Sequence, residues 1–156
     1  MQENPNFNQS LHHFLLQQNY APVLLQQTPT RHIATYGTIN NKSMLFIIDT
    51  GASHSCLDQQ SATEKLHLVP SEIDHDKVIG FGTNEGTRSL SFLETITLGE
   101  FLIAQFAISV IDLSNINQAL TVFDFPPIDG IIGADILAQY NALISYENEC
   151  MYQIGR

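Results

Sequence analysis

Apolar positions fall into two rhythms along this chain. Phe7, Leu11, Phe14 and Leu15 recur at i, i+4, i+7 and i+8, the spacing of one helix face, so 7–18 is predicted to be an amphipathic helix. Pro22 and Pro29 then stop helical propagation. From there the rhythm shortens to strands. Ile33–Ile39 and Ser43–Ile48 are predicted strands joined by a turn at Asn40-Asn41-Lys42. A short helix is predicted from a capping Asp58 to about Leu66. Val78-Ile79, a glycine-rich tip and Ser89–Leu98 predict a long hairpin, and Gly99-Glu100 turns the chain into Phe101–Ile111. Asn115–Leu120 predicts one helical turn, and Phe125-Pro126-Pro127 a rigid connector. Ile131-Ile132 follows as a short buried strand and Ala134–Tyr140 as a short helix. Leu143–Tyr146 and Met151–Ile154 close the chain as a hairpin around Glu147-Asn148-Glu149. Short strands with frequent turns predict an all-β sandwich or barrel. The boundary falls near residue 21, with 1–20 a helical extension and 21–156 the body.

Composition narrows the function classes. With 156 residues, 44% hydrophobic and 14% charged, the chain fits one domain with its own core and not a disordered segment. Unbroken apolar runs such as Met44–Ile48 are far too short for a transmembrane helix. The N-terminus shows neither the basic nor the apolar region of a secretory signal, so a cytoplasmic setting is expected. Six basic and sixteen acidic residues leave a net charge of −10. Glu3, Arg31 and Lys42 are the only charges in 1–48, so the acidity belongs to the rest of the chain. Without a basic patch to displace counterions, nucleic acid and anionic membranes are not expected as partners. Cys56 and Cys150 have no metal spacing and form no C-x-x-C, and are expected to be free buried thiols.

Two segments carry chemistry. In Leu45-Phe46-Ile47-Ile48-Asp49-Thr50-Gly51-Ala52-Ser53 an apolar strand runs directly into an acid, a hydroxyl and a glycine. The apolar approach favours desolvation of the Asp49 carboxylate, and Gly51 permits a tight turn after it. A strand that simply ends in a capping Asp has the same appearance. In Ile128-Asp129-Gly130-Ile131-Ile132-Gly133-Ala134-Asp135-Ile136-Leu137 a buried strand passes through glycine into a helix start. The two segments, in this order, resemble the retropepsin-type aspartic proteases, the single-lobe family of retroviral proteases and their cellular and bacterial relatives. The resemblance covers about 22–156.

The resemblance implies a retropepsin-like single-lobe barrel in which Asp49 is catalytic and Thr50, Gly51 and Ala52 support its loop. Gly133 and Asp135 belong to the structural motif that braces this loop. Val78–Gly86 stands where the family's flap hairpin lies, with Gly80, Phe81, Gly82 and Gly86 at its tip. The family's chemistry needs two carboxylates sharing one proton, because like charges about 3 Å apart cannot both ionise. This chain has one D-T-G, so the second acid is expected to be Asp49 of another copy across a two-fold axis, with Thr50 reaching across it. Asp129-Gly130 lacks the intervening hydroxyl residue, and turn chemistry accounts for it better than a second catalytic acid. The terminal strands, the hairpin 143–154 and a strand near 21–27, are expected to build the inter-subunit sheet. Ile79, Phe81 and parts of 121–128 are expected to wall an apolar substrate pocket.

The sequence departs from the family at two positions. Ala134 stands where retroviral enzymes often carry Arg, and Ala52 lacks the hydroxyl of pepsin-like sites. The remaining polar features read as bland. Gly80, Gly82 and Gly86 do not make a dinucleotide fingerprint, and neighbouring residues in Asp74-His75-Asp76 point apart on an extended chain. His12-His13 lies on the helix, where Leu11, Phe14 and Leu15 should form a docking face. His54 and Cys56 are expected to shape the strand behind Asp49. No metal and no cofactor is implied. The expected function is an aspartic endopeptidase acting as a homodimer on peptide or protein substrates. A dimeric binding or adaptor domain on the same fold is the alternative.

Overall fold

The structure, a computed structural model, describes residues 5–68 and 89–154. The chain begins with helix α1 (Pro5–Gln17), strand β1 (Tyr20–Leu24) and the two-residue β2 (Gln26–Gln27). Next come β3 (Ile33–Ile39), β4 (Lys42–Ile48), β5 (Cys56–Asp58) and α2 (Gln59–Glu64). Beyond the undescribed segment follow β6 (Ser89–Leu98), β7 (Phe101–Ile111), α3 (Ser114–Thr121) and β8 (Gly130–Ile132). The chain ends with α4 (Ala134–Gln139), β9 (Leu143–Ser145) and β10 (Cys150–Ile154).

The larger sheet runs β2-β3-β4-β8-β5-β7-β6, and pairing of β3 with β6 at Gly37–Ile39 curls it into a ring. The β3–β4 hairpin forms locally. Asn40 and Asn41 both take positive φ, at 49° and 61°, as the tight two-residue turns matched to strand twist require. β4 explains its own unbroken apolar run. Met44, Phe46 and Ile48 enter the main core, while Leu45 and Ile47 enter a second cluster with Cys56, Leu113, Leu120 and Ile128. A strand buried on both faces has no polar side to alternate with. Parallel pairing of β4 with β8 then sets the two motif segments side by side, Phe46 opposite Gly130 and Ile48 opposite Ile132. α2 starts where expected, because the Asp58 side chain accepts the Ser61 N–H at its N-cap.

A smaller sheet, β1-β10-β9, gathers the chain ends. β10 is buried on both faces: Met151 enters the main core, and Cys150 and Tyr152 lie under α1. Leu15 packs on Cys150 and Tyr152, with Leu11 beside it, and His12 Nδ1 lies 3.0 Å from the Tyr152 hydroxyl. Phe14 does not share this docking face and is 56% exposed. Leu11 and Leu15 stack one turn apart, whereas Phe14 is rotated about 100° from Leu15, beyond the stripe that one short sheet covers. β1 pairs along its length with β10 of its own chain, from Tyr20 opposite Ile154 to Leu24 opposite Cys150.

Candidate active site

Asp49 is the first residue past β4. Its N–H donates to Ile132 O at 3.0 Å, extending the β4–β8 ladder by one bond. The chain then turns sharply. Gly51 N–H donates to Asp49 Oδ1 at 2.8 Å, and Ala52 N–H to Asp49 O at 3.2 Å. The approach is buried through Ile48, but Asp49 and Ala52 are half-buried, and Thr50 and Gly51 are exposed. Within one chain, therefore, burial of the approach does not enclose the carboxylate itself.

The second motif segment braces this turn from behind. Ala134 N–H donates to Ala52 O at 2.7 Å. A Cβ on Gly133 would stand 2.7 Å from the same oxygen and 2.8 Å from the His54 carbonyl carbon, so only glycine lets the segments approach this closely. Asp135 lies in the first turn of α4. Its carboxylate accepts the Ser55 N–H at 2.8 and 3.0 Å, the Ser55 hydroxyl at 2.7 Å and the Ile136 N–H at 2.8 Å. Ser55 Oγ in turn accepts the Gly133 N–H at 2.8 Å. Ser55 was not singled out from sequence; its one signal is a small hydroxyl residue between an exposed turn and the apolar Cys56-Leu57. Asp49, Ala52, Gly133 and Asp135 are thus one connected unit with Ser55 at its centre, while Thr50 and Gly51 face outward.

The other acids near this unit are committed. Asp129 is 4% exposed, and its carboxylate accepts the Leu45 N–H at 2.8 Å and the Ser61 hydroxyl at 2.6 Å and pairs with Lys65 at 2.7 Å. It ties β4, α2 and the start of β8 together, a role beyond turn chemistry. Asp58 accepts the Ser61 and Leu113 N–H groups. Cys56 is buried, and burial pushes its thiol up to about 12, with Asp135, Asp58 and Asp49 adding repulsion against a hydrogen bond from the Ile131 backbone. A thiolate nucleophile is not formed there near neutral pH. Both cysteines are free.

The segment expected to form a flap, with Gly80, Phe81, Gly82 and Gly86, lies outside the described residues, as do Ile79 and Asp74-His75-Asp76. Of the other expected pocket wall, Val122 and Phe123 are exposed, at 78% and 54%, and Ile128 is buried. Among the described residues no group of three or more His, Cys, Asp or Glu side chains converges as metal ligands would.

Comparison with known proteins agrees with this geometry. The family model described as aspartyl protease matches residues 35–136, a span that includes both motif segments. No curated protein sequence matches the chain. Among solved structures, a retropepsin-like aspartic protease from Rickettsia conorii superposes with a TM-score of 0.60 at 15% identity, covering 86% of this chain and 90% of that one. EIAV protease, solved with the inhibitor HBY-793, gives 0.54 at 20% identity, covering 77% and 98%. The retroviral protease-like domain of Ddi1 from Leishmania major gives 0.51 at 20% identity, covering 81% and 88%. At these identities the likeness establishes the retropepsin-like single-lobe fold.

Proposed function

This chain belongs to the aspartyl protease family, and from that premise we propose that it is an aspartic endopeptidase whose active unit is a homodimer. The observation that carries the reading is the placement of Asp49. Its carboxylate stands half-buried in a braced turn whose Thr50 and Gly51 are exposed, while Asp129, Asp135 and Asp58 are all engaged elsewhere. One chain thus offers half of a two-carboxylate site, with the exposed half of the turn available to a second copy.

In the dimer the two Asp49 groups share one proton. The ionised carboxylate accepts a proton from water as that water attacks the scissile carbonyl. The protonated carboxylate donates to the carbonyl oxygen, giving a neutral tetrahedral diol. Collapse of the diol with proton transfer to the leaving nitrogen breaks the C–N bond and restores the singly protonated pair. The Gly51 N–H to Asp49 Oδ1 bond and the backbone bonds from Asp49 to Ile132 and from Ala134 to Ala52 hold the carboxylate in place between turnovers. Peptides and proteins are the substrate class.

The test is incubation of the purified chain with a mixed peptide library at weakly acidic pH, read by mass spectrometry, beside Asp49→Asn. Cleavage by the wild type that is lost in the variant is expected. Cleavage that persists in Asp49→Asn defeats the assignment. A folded dimer that cleaves nothing is a binding domain on the same scaffold.

A further inference from the structure

The tip of the β2–β3 hairpin carries two basic side chains beside the Asp49 turn. Resting on the peptidase reading above, we infer that Arg31 and His32 are specificity-determining residues, which select peptides with an acidic side chain close to the bond that is cut.

The strand register places them. Asp49 N–H donates to Ile132 O, so Asp49 directs its backbone groups to β8, and Ile48, one residue before, directs its own to β3. Ile33 and Ile48 are therefore a hydrogen-bonded pair of the β3–β4 ladder. On the other side of β3, His32 O accepts the Thr28 N–H at 2.7 Å, so His32 faces β2. One step beyond Ile33 and Ile48, His32 thus falls opposite Asp49 at a non-hydrogen-bonded position. In pairs of that kind the Cα atoms stand about 4.5 Å apart and the side chains share a face.

The hairpin tip holds these side chains out. Arg31 N–H donates to Thr28 O at 2.9 Å, closing a three-residue loop whose last member takes positive φ. Arg31 does so at 65°, whereas Asn19, Asn40, Asn41 and Asn141 meet the same demand with a residue type suited to it. The turn itself therefore does not call for arginine. Thr30 Oγ1 lies 2.8 Å from His32 Nδ1 and 2.9 Å from Thr28 Oγ1, which also accepts the His32 N–H at 3.1 Å. This chain of hydroxyls fixes the imidazole and leaves Nε2 to meet a ligand. Arg31 and His32 are both exposed.

Charge sets the tip apart. The chain carries −10 overall, a field that repels acidic peptides. Among the described residues the Lys and Arg side chains are Arg31, Lys42 and Lys65. Lys65 is paired with the buried Asp129. Lys42 starts β4, about 20 Å from Asp49 at the rise of a strand. Arg31 is thus the cation at the Asp49 end of the sheet. Its guanidinium, with the imidazole next to it in the chain, offers a carboxylate both opposite charge and directed donors.

The test is digestion of a random peptide library by the full chain, read by mass spectrometry as the residues flanking each cut. The wild type is expected to favour Asp and Glu over Lys and Arg by roughly threefold, the order of one exposed ion pair. Arg31→Glu should invert that preference and His32→Gln should weaken it. Lys42→Glu, the same charge change at the far end of β4, should leave it as it is. Retention of the library on immobilised Asp49→Asn, with and without Arg31→Glu, reads the preference without turnover. Cutting with no acidic preference overturns the inference, as does a preference that Arg31→Glu leaves intact or that Lys42→Glu abolishes equally. A protein that cuts nothing but retains acidic peptides through Arg31 supports the subsite and removes the proposed activity. One that neither cuts nor retains them overturns both.

Discussion

Ser55 and Asp135, eighty positions apart, are joined by three hydrogen bonds, the hydroxyl at 2.7 Å and the backbone N–H at 2.8 and 3.0 Å. The same hydroxyl accepts from Gly133, so a single oxygen links the carboxylate to the segment on which the Asp49 turn rests. Ser55→Ala leaves the Gly133 N–H without a partner and withdraws a donor from the Asp135 carboxylate. Hydrogen bonds to charged groups contribute about 1.5–3 kcal/mol. Thermal or urea unfolding should show a loss of that order, with kcat reduced more than KM is changed, and Ser55→Thr should restore most of both. An alanine variant with wild-type stability and kcat would show that the bridge holds nothing in place.

Stability should fall on the alkaline side through Cys56. Its thiol is raised by burial from 9.0 to about 12. The folded state then keeps its proton where the unfolded state has lost it. The favourable contribution is complete below pH 9 and declines as pH rises toward 12, at up to roughly 1.4 kcal/mol per pH unit for one group. Urea unfolding at pH 8 and pH 10 should show the wild type losing stability that Cys56→Ala, weaker at the start for lost packing, does not lose. Equal pH slopes in the two proteins would place the alkaline loss elsewhere.

Gln153 should be a site of gain. It is fully buried, yet neither its Nε2 nor its Oε1 has a hydrogen-bond partner among the described residues. An unsatisfied buried amide costs about 1–3 kcal/mol. Gln153→Met keeps the length and removes both orphaned atoms, so the melting temperature should rise. A lower melting temperature would mean that the amide is satisfied in solution.

The helix should respond according to which face is changed. Leu15 is 5% exposed against Tyr152 and Cys150, whereas Phe14 is 56% exposed. Leu15→Ala should cost about 2 kcal/mol or more and Phe14→Ala well under 1 kcal/mol. Peptidase activity per folded molecule should be unchanged in both, since α1 carries no group of the proposed site. Equal losses from the two substitutions would contradict the docking described.

The sequence was most readable where a residue's role depends on its immediate neighbours. The β3–β4 hairpin, the Asp58 cap and the D-T-G turn are local, and Met44–Ile48 stands out because both faces of β4 are buried. Roles that depend on distant partners were not readable. Asp129 looks like turn chemistry until Leu45, 84 positions away, and Lys65 are placed against it. Ser55 looks like a loop hydroxyl until Asp135 arrives. Phe14 and Leu15 are adjacent and both apolar, and only the width of the sheet beneath the helix separates them. The hairpin 143–154 and a strand near 21–27 were read only as parts of an inter-subunit sheet, and no sequence pattern reveals that β1 pairs with β10 of its own chain.

The parallel seam between β4 and β8 also governs when the half-site comes into being. Asp49 is made more than eighty residues before its supports, Ile132, Gly133, Ala134 and Asp135. A nascent chain stopped short of these residues has Asp49 and no brace for its turn, and therefore no half of the proposed site. Pairing across such sequence separation is also slow to form, since a long loop must close before any contact compensates for it. A delay is thus built into the order of synthesis: more than eighty residues must follow Asp49 from the ribosome before its turn can be held.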